Sequence, residues 1–557
     1  MNNIKLPVGI SDFAEIRDEG YHYIDKTNLL AEIIDAGVAK VTLITRPRRF
    51  GKTLGMSMLA DFFDIRRESR THFANLAIAE RGDICKQWMN KYPTIFLSLK
   101  DIDGLTFADA RAQFVLQFAN LYKEFTFLLD CEMLDSDDKE FFLKIKAGKA
   151  DLADLSQALS TLIRLLRIYY DKKVILLLDE YDVPIAKAST HGYYPEMLNL
   201  VKPLLSMALK DNANLCFAVI TGCLRIAKES IFTGTNNFVA DSIMHSNLQE
   251  SFGFTQKEVD RLLADAGAAA YGESIKLWYD GYHFDKADVY CPWDVVRYLY
   301  DLRLNPQAKP VSYWKNTSDN AVIRSFIDYA SGNITEKLEK LLAGGFIVQR
   351  LDDNLTYDYL HSSEENLWSI LYLTGYLTQV RSAELAANVP EGYFALTIPN
   401  AEIREIFETT VIKWFEESAG VWNRQPLFAA VWSGNGEILS KEMTKLLRFT
   451  ISYHDYKEDF YHAFLAGIFA GAGYVVESNR EHGEGRSDVV VKDIRNGRVA
   501  IFEAKYAKTL DALTGACELA VQQIDKRMYA EDFRDDYDEI FCYGIAFFKK
   551  RCLVKKK

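Results

Sequence analysis

Apolar residues fall along this chain in short runs separated by stretches of helical period. Val41-Thr42-Leu43-Ile44 predicts a buried strand, and Leu54 to Phe63 carries apolar residues at helical spacing. Further strands are predicted at Tyr21 to Asp25, Pro93 to Leu99, Val174 to Leu178 and Leu215 to Thr221. Helices are predicted from Asn28 to Gly37, closed by that glycine, from Ala108 to Phe127 and from Leu155 to Tyr170. Strands that alternate with helices imply a parallel sheet and an α/β fold. The strands read as continuous apolar runs, as expected when both faces of a sheet are covered.

From about residue 246 the texture changes. Thr255-Gln256-Lys257-Glu258 forms a capping box that opens a helix. Aromatic-rich stretches follow at Trp278 to Phe284 and Tyr290 to Asp294, and Ile370 to Leu377 reads as buried helix ending in a turn. Aromatics of this kind can stack on single-stranded bases; the core of a helical connector is the reading the pattern favours. His283 reads as structural. The last part returns to strands: Tyr474 to Ser478, Ser487 to Val491, a hairpin turn at Asn496-Gly497, then Val499 to Tyr506, and finally Phe541 to Phe547. A helix from Tyr456 to Ala470 precedes them. This divides the chain into 1–245, a mainly helical 246–440, and 441–557.

Composition narrows the class. The 557 residues are 49% hydrophobic and 26% charged, the balance of a folded globular protein. A net charge of −12 argues against broad coating of nucleic acid, while leaving room for a local basic channel. Eight cysteines without a C-x-x-C pair offer neither a zinc site nor a disulfide framework, which fits a reducing cytoplasm. No apolar run approaches the roughly 20 residues that span a bilayer, and the N-terminus lacks the pattern of a signal peptide.

The loop after the first strand carries candidate chemistry. Arg46-Pro47-Arg48-Arg49-Phe50-Gly51-Lys52-Thr53-Leu54 joins a strand to a helix, the layout of a phosphate-binding loop. Lys52 would reach the β- and γ-phosphates of ATP, and the Thr53 hydroxyl would sit on Mg²⁺. The usual pattern has glycine where Arg46 stands, and losing a glycine costs about 1 kcal/mol if φ there is positive. The competing reading is a basic surface turn. The strand ending Leu178-Asp179-Glu180-Tyr181-Asp182 counts against it, because acids at a strand's carboxyl end sit where open α/β sheets bind ligands. Asp179 would hold Mg²⁺, and Glu180 would polarise the attacking water. Thr221 fits a γ-phosphate contact or a helix cap; Arg225 fits a transition-state cation or a solvated arginine.

These motifs, with Leu6 to Phe13, Tyr23 to Thr27, Lys228 to Phe232 and Asn236-Asn237, resemble the bacterial AAA-ATPase-like family over roughly residues 4 to 245. Members of that family also place Arg where the first glycine is expected. The resemblance implies a P-loop NTPase sheet flanked by helices, binding ATP and Mg²⁺.

A second constellation lies near the C-terminus. Asp488 and Glu503 fall on strands joined by a hairpin, and Glu503 and Lys505, two apart, face the same side of one strand. Two carboxylates and a lysine can bind Mg²⁺ and activate water. The arrangement resembles the PD-(D/E)xK nuclease superfamily, although Ser487 replaces the proline of the name. The resemblance implies Asp488 and Glu503 as metal ligands, with Glu458 as an upstream acid ligand and Lys505 orienting water. Gln523 and Tyr529 would support lysine and substrate from the following helix. Arg480, Glu481 and Arg486 lie in the matching turn. His462 reads as a core residue. The lysines around Arg551 read as phosphate contacts or a solvated tail.

The combined expectation is a cytoplasmic bacterial ATPase fused to a metal-dependent nuclease acting on nucleic acid, DNA by analogy, with no membrane partner and homo-oligomers left open. The rivals are a nucleotide-controlled switch that grips nucleic acid without cutting, and an ATPase that remodels protein complexes.

Overall fold

Four of the expected strands of the first half pair into one sheet, joined by a fifth. Val41–Thr45 (β1), Thr94–Ser98 (β2), Val174–Asp179 (β3), Leu215–Gly222 (β4) and Phe238–Asp241 (β5) form a five-stranded sheet in the order β2-β3-β4-β1-β5. Every pairing in it is parallel. The computed structural model describes residues 4–35, 39–225, 238–245, 247–314, 337–338, 340–342, 344–353, 355, 364–381, 384–385, 389–419, 425–450, 458–470, 472–482, 485–548 and 551–557. Gly37, residues 228–232 and 236–237, and Lys549 and Lys550 lie outside the described residues.

The helices of this part are Phe13–Asp18 (α1), Asn28–Asp35 (α2), Lys52–Phe63 (α3), Gly82–Trp88 (α4), Phe107–Glu124 (α5), Ser136–Lys146 (α6), Leu152–Tyr170 (α7), Val183–His191 (α8) and Tyr194–Leu209 (α9). β3 is buried at every position, and α5, α7 and α9 share a core with it. Residues 21–25, expected as a strand, adopt no regular structure; single backbone bonds, such as His22 N–H to the Lys5 carbonyl at 2.7 Å, and side chains hold the segment. The Asp25 carboxylate accepts from Thr27 Oγ1 (2.6 Å) and from Ala77 N–H (2.6 Å). Lys26 Nζ donates to Glu258 at 2.7 Å. β5 was not anticipated; at four residues it is too short for its pattern to stand out.

The region after 246 is less purely helical than its texture suggested. Gln256–Ala266 (α10) opens on the expected capping box of Thr255 and Glu258. Gly272–Tyr279 (α11) and Pro292–Leu304 (α12) flank a hairpin of Tyr282–Phe284 (β6) and Ala287–Val289 (β7). Ile347–Arg350 (β8), Thr378–Gln379 (β9) and Tyr393–Thr397 (β10) form a small sheet in the order β8-β10-β9.

The C-terminal sheet runs in the order β11-β12-β13-β14-β15: Val475–His482, Gly485–Asp493, Arg498–Tyr506, Glu539–Phe548 and Arg551–Lys556. β13 and β14 are parallel and the other pairs antiparallel. The connection between β12 and β13 is a short 3-10 turn, Ile494–Asn496, closed by Gly497 at φ 62°, and not a two-residue turn. β15 replaces the expected lysine tail. Lys555 pairs with Glu518, and Lys557 with Asp525.

Contacts divide the chain into two units: residues 1–313 with 348–401, and residues 314–347 with 402–557. A boundary between 440 and 441 would fall inside the helix Gly436–Thr450.

Candidate functional site

In the first unit, β4 lies between β1 and β3. The end of β4 is therefore flanked by the phosphate loop on one side and the acids on the other. Backbone conformation explains the loop. The left-handed residues are Arg49 (φ 71°) and Gly51 (φ 87°), and Arg46 is not among them. No side chain caps α3, so its leading N–H groups are available to an anion.

Lys52 is buried. Its ammonium donates to the carbonyls of Arg46 and Pro47, both at 3.1 Å, and lies 3.4 Å from Glu180 Oε1 and 3.7 Å from Cys223 Sγ. Burial disfavours its charge, yet Cys223, Glu180, Asp182 and Asp179 leave its pKa above the usual lysine value. Asp179 is fully buried and accepts three hydroxyls: Thr221 at 2.6 Å, Thr53 at 2.9 Å and Ser98 at 3.2 Å. Burial raises its pKa against the Thr221 hydrogen bond. The donor set fits a divalent cation. The Thr53 hydroxyl and the Asp179 carboxylate are adjacent hard oxygens, and a cation would relieve the buried charge.

Glu180 sits in the left-handed region at φ 52°, a position worth explaining for a non-glycine residue. Its N–H points to Thr221 Oγ1 at 3.4 Å. Asp182, 1% exposed, accepts from the N–H groups of Cys223 and Leu224, both at 2.9 Å. Burial, then the neighbouring Glu180 charge, push its carboxyl up to about 6. Burial likewise pushes the Cys223 thiol up to about 11.

The other loop residues form its mount. The Arg46 side chain, expected in the cradle, is turned elsewhere. It is fully buried and donates to Asp241 Oδ2 (2.6 Å) and to the carbonyls of Thr45, Asp241, Asn247 and Leu248. Arg49 lies 3.9 Å from Asp294 and over the Trp293 ring. Phe50 packs edge-on to Tyr282 at 4.9 Å and against Phe284 at 5.2 Å. The Arg48 charge acts on Cys223. A cavity of about 260 Å³ opens beside the loop, reached by Lys52, Thr53, Leu54 and Glu180 and walled by Pro7, Tyr23, Phe254 and Trp293. Arg225 follows Leu224, with its guanidinium over the Phe238 ring. Among the described residues no hydrogen bond or ion pair joins it to Lys52 or the acids.

Sequence reasoning missed Ser98, Asp182 and the cavity walls. A polar residue ending the apolar strand Thr94–Ser98 was the available signal for Ser98. Two of the walls, Phe254 and Trp293, come from segments about 200 residues or more beyond the loop in sequence, and local pattern carries no trace of that.

In the second unit, β12 and β13 pair from Val489↔Phe502 onward, and the same register continued places Asp488 opposite Glu503. Asp488 Oδ2 accepts the Ala504 N–H at 2.7 Å. Glu503 is fully buried and meets Lys505 Nζ at 3.0 Å. Gln523 lies on the helix Leu513–Arg527; Tyr529 lies just past its end, beyond Met528 at φ 51°. Burial raises the Tyr529 pKa, a hydrogen bond from Gln523 opposes this, and the Glu503 and Asp488 charges add to it. Two carboxylates and a lysine thus converge. The side chains of Glu458, His462, Arg480, Glu481 and Arg486 lie outside the described residues. Among the described residues no group of three or more His, Cys, Asp or Glu is placed to hold a metal. Asp488 and Glu503 are still hard oxygen donors of the kind Mg²⁺ takes.

A parallel sheet with a lysine-bearing loop on β1 and acids ending β3 is the arrangement of the P-loop NTPase fold. Residues 7–232 match the family model described as "Predicted AAA-ATPase", and residues 456–557 match that of the PD-(D/E)XK nuclease superfamily. The chain thus carries an AAA-ATPase-like domain at its N-terminus and a PD-(D/E)XK nuclease superfamily domain at its C-terminus. It is also similar to the protein named "Uncharacterized protein in vnfD 5'region" from Azotobacter chroococcum mcd 1, at 25% identity over 98% of this chain and 97% of that protein. No described helix is long and apolar enough to cross a membrane.

Proposed function

We propose that this protein binds and hydrolyses ATP with Mg²⁺ at the first site and cleaves nucleic acid, DNA by preference, at the second. The observation that carries the reading is the convergence of Lys52, Thr53, Glu180 and Thr221 around the buried Asp179. Lys52 neutralises the β- and γ-phosphates, replacing its present carbonyl contacts. Thr53 and Asp179 hold the metal, which would supply charge neutralisation on the phosphates. Glu180 orients the attacking water, and Thr221 fixes both acids from β4. At the second site Asp488 and Glu503 hold Mg²⁺, with Glu458 and Gln523 assisting, and Lys505 orients the water. The cytoplasm, where ATP is abundant, is the compartment that fits.

One experiment tests both halves. The full chain is incubated with linear, supercoiled and single-stranded DNA in Mg²⁺, with and without ATP, while phosphate release and strand scission are followed together. Glu180→Gln should bind ATP and release little phosphate, and Lys505→Ala should stop scission while ATP turnover continues. Scission that survives Lys505→Ala would exclude the second assignment. DNA bound but never cut would replace the nuclease with a grip controlled by nucleotide.

A further inference from the structure

Asp182 stands where a helix cap is expected. It precedes α8, and Asp is among the best N-cap residues because its side chain satisfies the helix's leading N–H groups. Here the side chain makes no cap bond. It turns instead to the segment leaving β4 and takes the N–H groups of Cys223 and Leu224 on one oxygen, both at 2.9 Å.

Neighbouring contacts tie the same two segments. Tyr181 N–H donates to the Thr221 carbonyl at 3.0 Å, and the Tyr181 hydroxyl donates to the Leu224 carbonyl at 2.9 Å. Between them Gly222 passes so close that a Cβ would stand 2.6 Å from Asp182 Oδ1 and 2.8 Å from the Tyr181 ring. Residues 180–182 and 221–224 are therefore one fastened piece. The water-orienting Glu180 and Thr221 sit together at one end of it, and Arg225 follows the other. A buried carboxylate costs stability unless something compensates it, and well-packed apolar residues often do better.

We propose that Asp182 is a positioning residue for ATP hydrolysis. It fastens the segment leaving β4 to the acidic end of β3, so that Glu180, Thr221 and Arg225 address the same phosphate. It touches no nucleotide itself. The inference rests on the reading of the first site as an ATPase.

The test is steady-state ATP turnover by the full chain, with ATP affinity measured by calorimetry and folding by thermal melting. Asp182→Ala removes both hydrogen bonds. Its kcat should fall on the order of 100-fold, the scale of a displaced catalytic group, while KM and ATP affinity hold. Asp182→Asn keeps a carbonyl oxygen that can accept both N–H groups, so it should restore most of the rate. Gly222→Ala attacks the same fastening from the other side and should reproduce the loss. An Asn variant as slow as Ala would overturn the proposal, because charge and not position would then be at work. So would a wild-type kcat in Asp182→Ala, or a loss of affinity as large as the loss of rate. If Asp182→Ala fails to fold, Gly222→Ala decides, and a wild-type kcat there overturns the proposal. Absence of turnover in the wild-type chain would instead remove the ATPase reading itself.

Discussion

Arg46 shows what a motif does and does not say about the residue that breaks it. The expected glycine is needed only where φ is positive, and the loop puts its positive φ values at Arg49 and Gly51. With that constraint gone, position 46 can carry a long side chain, and the fold buries it against Asp241. Burial pulls the Arg46 pKa down and pushes the Asp241 pKa up, so both charges are held at a cost and neither tolerates loss of the other. Arg46→Gly, which restores the usual motif, should therefore destabilise the protein by about 3–5 kcal/mol, the penalty for breaking a buried pair. Chemical denaturation reads this directly, and an unchanged midpoint would show that Asp241 finds another partner. The motif itself, Lys52 to Thr53 with Asp179 and Glu180, was legible because those residues act at fixed offsets from strand ends. Arg46's partner was not, since Asp241 ends a strand of only four residues and is 195 residues away.

At the scale of elements, close approach decides which helix sits where. Gly544 on β14 lies under the helix Leu513–Arg527: a Cβ there would stand 2.6 Å from a Val521 methyl, 2.7 Å from the Val521 nitrogen and 2.8 Å from the Cys517 carbonyl. Cys517 Sγ donates to the Gly544 carbonyl at 3.2 Å. The same helix carries Gln523 toward Tyr529. Gly544→Ala should push the helix outward, at about 1–3 kcal/mol for overpacking, and should reduce strand scission as Gln523 moves with it. A lowered melting temperature with full scission would mean that Gln523 has no part in the site. The apolar runs located β11 to β14, but Arg480, Glu481 and Arg486, expected in the turn, lie on β11 and β12, with Glu481 opposite Arg486. The final lysines were not placed on a strand, because a strand of charged and apolar residues at a sheet edge looks like a tail until its neighbour is known: Val554 N–H donates to Ser440 at 2.8 Å, and Cys552 N–H to Thr444 at 3.1 Å.

Those last bonds matter for the whole molecule. They attach β15 to the helix Gly436–Thr450, which lies before residue 456, where the nuclease match begins. Trp432 likewise packs edge-on to Phe541 at 5.8 Å, and Tyr543 donates to the Val431 carbonyl. A fragment of residues 456–557 loses that cover from one face of its sheet. It should fail to unfold cooperatively in calorimetry, whereas residues 402–557 should show a sharper transition. A sharp transition in the shorter fragment would show that the preceding helices are dispensable.

The division of the chain at 313, 347 and 401 has a consequence for synthesis. Chains emerge from the ribosome N-terminus first, and domains generally fold as units in that order. Here the first unit is not complete when residue 313 appears, because it takes back residues 348–401. Residues 314–347, born in between, belong to a body whose remainder has not yet been translated. The nascent protein must hold an unfinished segment in waiting, so a stalled or truncated message ending before residue 401 yields neither unit whole.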